Sequence, residues 1–237
     1  MLFSTTSLFF LLPLLFSSGT LATPVGQESA VSPPKPAPYP TKVIAGVTVI
    51  DTPIVRAAQE YARKHLDDMG YNHVIRSWLY SVIISQKVTK TFGAVDAEIQ
   101  ALGAILHDLG WDNTGELISK DKRFEVDGAI AARNWIEAQR KNGTADGWDS
   151  RRTQLVWDSI ALHTTPSIAQ FKEPEVALVG VGIVSDFQGP NTDPTKTLTW
   201  DEFNTVIKSY PRHDLAGGIR RIICNFAKTK PETTYGE

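Results

Sequence analysis

His107 and Asp108 stand side by side at the end of the apolar stretch Asp96–Gly110. An imidazole and a carboxylate so placed either share one metal ion or cap a helix. Ile99, Leu102, Ile105, Leu106 and Leu109 recur at helical spacing and predict a buried face. Asp96 suits the N-cap of this helix and Gly110 its left-handed stop. A carboxylate buried at such an end is costly unless something pairs with it, and a bound cation offsets that cost directly. Asp186 poses the same question. It closes Val176–Ser185, a segment apolar all round and therefore central. It is either a partnered carboxylate or an ordinary helix-end Asp. Gly180 and Gly182 in that segment permit close approach of another helix.

Other side chains widen the choice. His73 heads a second helix, and Arg76 follows one turn later on the same face. Arg76 either orients a substrate or pairs with a carboxylate. His163 ends another helix as a hydrogen-bond donor behind the site, a substrate contact or the ligand of a second metal. Glu125 is either a pocket acid or a first-turn Glu that stabilises a helix dipole. Trp78, Trp111 and Trp157 wall a pocket or fill the core. Asp112 and Glu116 lie in a loop that covers the site or merely turns the chain. His65 sits among charges and reads as surface. His213 opens the last helix beside Arg212 and Asp214, and neither histidine is assigned to the site. Cys224 is alone, so no internal disulfide is possible. Ile222–Phe226 around it reads as a buried face, without a catalytic thiol.

The elements that must position these groups are mostly helices. Pro53 opens one that runs to about Asp68. Others are predicted over Asn72–Gln86, Asp96–Gly110, Lys122–Asn142, Asp149–His163, Glu173–Phe187, Trp200–Ser209 and Arg212–Lys228. Val43–Ile50 suits a short strand or arm. The class is all-α, in one domain over residues 43–237.

Residues 1–22 carry no charge and hold an apolar core, Leu8–Phe16, followed by small residues. They read as a signal peptide cleaved near Ala22, although the usual basic start is missing. Residues 23–42 contain Pro24, Pro33, Pro34, Pro36, Pro38 and Pro40 and read as an extended linker. Asn142-Gly143-Thr144 is a glycosylation sequon that fits secretion. No later stretch is long enough to span a membrane. A net charge of −2 gives no electrostatic case for nucleic acid or anionic lipid. The expected partner is a small molecule.

Taken in order, His73 … His107-Asp108 … Asp186 resembles the HD-domain superfamily of metal-dependent enzymes. Tyr71–Arg76, Leu106–Gly110 and Arg123–Gly128 are similar to its cyanamide hydratase-like branch, over roughly Thr52 to Gln188. The signal peptide and proline-rich arm depart from the cytosolic hydratase pattern. The resemblance implies a divalent metal held by His73, His107, Asp108 and Asp186. Such a set suits zinc, with iron or manganese as alternatives. It implies a hydratase in which Glu125 or His163 donates a proton to the nitrogen of a cyanamide- or nitrile-like molecule, and Asp108 and Arg76 complete the candidate catalytic set. A phosphohydrolase is the alternative enzyme, though few Lys or Arg lie near the motifs. A non-catalytic secreted binding protein is the third possibility.

Overall fold

The computed structural model describes residues 39–89 and 94–234. Residues 1–22, read from the sequence as a signal peptide, and residues 23–38 of the expected linker lie outside them. The described chain opens with a hairpin of β1 (Thr41–Ile44) and β2 (Val47–Ile50), paired antiparallel with Thr41 opposite Ile50. Its two-residue turn is Ala45-Gly46, both at positive φ, which matches the twist of a tight hairpin. The first strand thus takes in Thr41 and Lys42, which the proline count assigns to the linker.

The remainder is helical: α1 (Pro53–His65), α2 (Asp68–Lys87), α3 (Ala97–Ile105), α4 (Phe124–Lys141), α5 (Ser150–Ala161), the short α6 (Pro166–Ala169), α7 (Pro174–Gln188), α8 (Trp200–Ser209) and α9 (Leu215–Thr229). Caps set most of the starts. Asp67, Asp96, Asp149 and Asp214 each accept from a backbone N–H of the first turn, and Thr199 with Glu202 forms a capping box. The all-α expectation therefore holds with one hairpin added. Among the described residues no helix is long and apolar enough to cross a membrane.

The central pair is α2 against α7. α7 is apolar nearly all round, and α2 is buried on every side from His73 to Ser85, including Val74, Ile75, Trp78, Leu79 and Ile84. They approach closely because of Gly182, where an added Cβ would lie 2.4 Å from the Ser77 carbonyl oxygen and 2.7 Å from Ser81 Cβ. Gly180 plays no such part, since its nearest neighbour would be Ala169 Cβ at 3.9 Å. Gly182→Ala should push the two helices apart and cost about 1–3 kcal/mol of stability. Urea unfolding of the variant checks this; an unshifted midpoint would mean the interface yields without cost.

Three local expectations are corrected. The helix predicted over Asp96–Gly110 stops at Ile105, and a 3-10 turn, Leu109–Trp111, follows. Gly110 is not its left-handed stop. It lacks a side chain because α4 lies against it: an added Cβ would sit 2.0 Å from the Phe124 carbonyl oxygen. His65 is not a surface residue. It is 1% exposed, with its Nδ1 2.9 Å from Asp112 Oδ1. Asp112 also accepts from the backbone N–H of Thr114 and Leu117, so it shapes the loop after the His-Asp pair rather than covering the site. Cys224 is exposed, not buried.

Candidate metal centre

The break after Ile105 is what brings His107 and Asp108 together. Neighbours on an α-helix point about 100° apart, so an unbroken helix would aim them at different places. Instead Leu109 N donates to the Leu106 carbonyl and Trp111 N to that of Asp108, and the chain tightens. His107 Nε2 then lies 3.0 Å from Asp108 Oδ2. His73, from the second turn of α2, joins them: its Nε2 is 3.2 Å from His107 Nε2 and 3.4 Å from Asp108 Oδ2. All three side chains are fully buried.

The tautomers follow from the partners on the outer side of each ring. His107 Nδ1 donates to the Ala104 carbonyl oxygen at 2.7 Å, and a carbonyl only accepts. His73 Nδ1 donates to Asp186 Oδ2 at 2.6 Å. In the neutral form that ligates a metal, each imidazole then turns a bare Nε2 lone pair toward the other. With no ion between them, burial acts to lower the pKa of His107, but Asp108 outweighs it and pushes that pKa up. Neither oxygen of Asp108 has a hydrogen-bond partner. In the neutral form two lone pairs and a carboxylate converge, an arrangement that repels itself unless a cation, a metal ion or a proton shared with Asp108, lies within it. His73, His107 and Asp108 form the possible metal-binding group found among the described residues. Their donor chemistry fits a divalent ion, with both imidazoles oriented from behind.

Asp186, the fourth member of the expected ligand set, stands outside this group in the structure. It reaches the opposite nitrogen of His73 from the one that faces the cluster. Arg76 holds the same carboxylate through a two-point fork, Nε to Oδ1 at 2.8 Å and Nη2 to Oδ2 at 2.7 Å. Burial acts to raise the pKa of Asp186, but the bonds from His73 and Arg76 outweigh it and hold the carboxyl well below its ordinary range. Arg76 is itself fully buried and donates further to the carbonyls of Tyr210 and Pro211. It does not line the cavity beside the cluster, so it is a positioning residue, not a substrate contact.

That cavity encloses about 450 Å3. His73, His107 and Asp108 form part of its wall, with His163, Glu125, Thr164 and Arg123 as the other polar groups. His163 follows α5 in a turn, its Nδ1 donating to the Ile160 carbonyl oxygen and its Nε2 3.5 Å from Asp108 Oδ1. Burial first, and His107 second, push its pKa down to about 4. Burial acts to raise the pKa of Glu125, but hydrogen bonds from Arg123 and Thr164 hold it lower. Near neutral pH both side chains therefore present acceptors toward the cavity.

Of the three tryptophans, Trp111 reaches the site, stacked 5.8 Å from His73, while Trp78 and Trp157 do not line it. Thr164, Phe187, Ile219 and Ile223 were not anticipated. The signal for the last two was available, since Leu215, Ile219, Ile223 and Phe226 recur at helical spacing.

A family description, HD domain, matches residues 70–198, more than half of the 237-residue chain. No curated protein matches it. The matched span contains His73, His107, Asp108, Glu125, His163 and Asp186.

Proposed function

The chain belongs to the HD-domain family, and we propose that it is a metal-dependent hydratase or hydrolase of a small neutral substrate, of the cyanamide- or nitrile-like kind. The observation that carries this is the convergence of two bare imidazole nitrogens and an unpartnered carboxylate on the wall of a largely apolar cavity. A divalent cation held by His73 Nε2, His107 Nε2 and Asp108 would acidify water toward neutral pH and so supply the nucleophile. Two imidazoles and a carboxylate suit zinc, iron or manganese, with zinc our assignment.

The chain's own residues supply the proton traffic. When water adds across a nitrile, its oxygen bonds to carbon, and nitrogen gains the proton the water loses. Glu125 and His163 are set to accept that proton, because Arg123 and Thr164 keep the carboxyl ionised and burial keeps the imidazole neutral. The same groups then return it to nitrogen, as relays, not as standing acids. Trp111 and Phe187, 5.8 and 4.7 Å from the His73 ring, keep bulk water from the cluster.

A phosphate ester fits less well. Such substrates call for several Arg or Lys, and the cavity wall offers Arg123, which is engaged with Glu125. Purified protein assayed by elemental analysis, then given cyanamide, alkyl nitriles and phosphate monoesters in turn, tests the assignment. The expected result is about one divalent ion per chain and turnover of nitriles. Preferential release of inorganic phosphate would replace the hydratase reading. The leader-like residues 1–22 support a place in the secretory pathway, which N-terminal sequencing of the protein from culture medium would check.

A further inference from the structure

The cavity is larger and more apolar than cyanamide requires. Water takes about 30 Å3 in the liquid, so about 450 Å3 corresponds to on the order of ten water-sized volumes or more. Cyanamide carries no hydrocarbon and would leave most of that space as water against Trp111, Phe124, Ile183, Phe187, Ile219 and Ile223. Water held against such a wall is what an apolar group displaces favourably.

The last helix shows how the wall is built. Leu215, Gly218 and Phe226 of α9 are buried against the body, but Ile219 and Ile223, one turn apart, line the cavity. Ile223 and Phe187 are 39% and 41% exposed although both line it, so the cavity meets solvent at these two side chains. Two large apolar groups at an opening contribute little to folding. They suit a hydrocarbon ligand passing between solvent and site. The charged pair on the wall, Arg123 and Glu125, is mutually engaged, so an ionised substrate tail would lose water without gaining a dedicated partner.

We infer that the substrate is a neutral molecule whose reacting carbon bears an alkyl or aryl group that fills this cavity, not cyanamide itself. The inference rests on the hydration reading above and deepens it by naming the substrate class.

The test uses the metal-loaded full chain and the corresponding amide products, so that binding is read apart from turnover. Acetamide, butyramide, hexanamide and benzamide are titrated by calorimetry. Kd should fall about fourfold per added methylene, roughly 250-fold over the four methylenes from acetamide to hexanamide, until the cavity is full. A hexanamide analogue ending in a carboxylate should bind at least about tenfold more weakly than hexanamide. A flat series, or tighter binding of the charged analogue, overturns the inference. Ile219→Trp, checked for native circular dichroism, occupies the tail's space and should flatten the series; an undiminished slope in that variant also overturns it. Turnover of the matching nitriles is scored separately. A steep series without any hydration defeats the hydration reading alone. Rapid hydration of cyanamide with a flat series keeps that reading and removes the apolar tail.

Discussion

Asp108→Ala and His107→Ala should each lose the metal and the activity together. Removing either leaves two donors of the three, and the remaining pair cannot close a site around a divalent ion. Metal content after gel filtration should drop below about a tenth of wild type, with turnover at background. Loss of turnover alone would not prove ligation, because a buried cluster can also be disturbed structurally. Stability supplies the sharper comparison. A metal that binds only the folded chain stabilises it in proportion to the logarithm of its excess over Kd. A chelator should therefore lower the Tm of the wild-type protein.

Asp108→Asn should respond the opposite way. Without the ion, and at a pH above the raised pKa of His107, the wild-type carboxylate is buried with neither oxygen hydrogen-bonded, beside two Nε2 lone pairs. An asparagine there carries no charge, and its NH2 can donate to one of the imidazoles. The chelated wild type should thus be less stable than Asp108→Asn, and the variant's Tm should not move with chelator. If the wild type also ignores chelator and retains its Tm, the cluster does not hold a stabilising ion.

Much of the helical frame was legible because it rests on local rules. The acidic caps at Asp96 and Asp149 sit where the sequence suggests starts, and apolar spacing marks the buried faces. What escaped was direction. His65 looks exposed beside Arg63 and Lys64, yet Ala58 and Ala62 precede it by seven and three residues and share its buried face. Cys224 follows Ile222 and Ile223, but helical rotation carries it to the solvent side of α9. The approach of His107 to Asp108 depends on a helix ending earlier than its apolar pattern does. Beyond that ending α4 lies against Gly110, a contact between residues fourteen positions apart that periodicity cannot express.

The same limit explains Asp186. Sequence order brings it to the site correctly, since it meets His73 across the α2–α7 interface. Which atom it meets is a matter of rotamers. Arg76, three residues after His73, presents a planar fork that captures both oxygens and turns the carboxylate to the back of the ring. Its role is then to fix the His73 tautomer, and the consequence is measurable.

Asp186→Asn should weaken metal binding by about 10–100-fold without abolishing it, the range expected when a partner behind a liganding imidazole is lost. A direct ligand would behave instead like Asp108. The variant also leaves the buried Arg76 guanidinium without its fork partner, which should cost about 3–5 kcal/mol of stability. Arg212, 3.8 Å from the same carboxylate and one-third exposed, loses little because water still reaches it. Stability and affinity can be separated by the double variant Arg76→Met/Asp186→Leu. Removing both charges of the buried pair should restore most of the stability, as apolar replacements of such pairs often do. It cannot restore the acceptor for His73 Nδ1, so the metal affinity should stay low. Denaturant unfolding and competitive chelator titration on the same three proteins, wild type included, give both quantities. Recovery of metal affinity in the double variant would mean that Asp186 serves only to neutralise Arg76, and His73 would then owe its orientation to the packing of Trp111 and Phe187 alone.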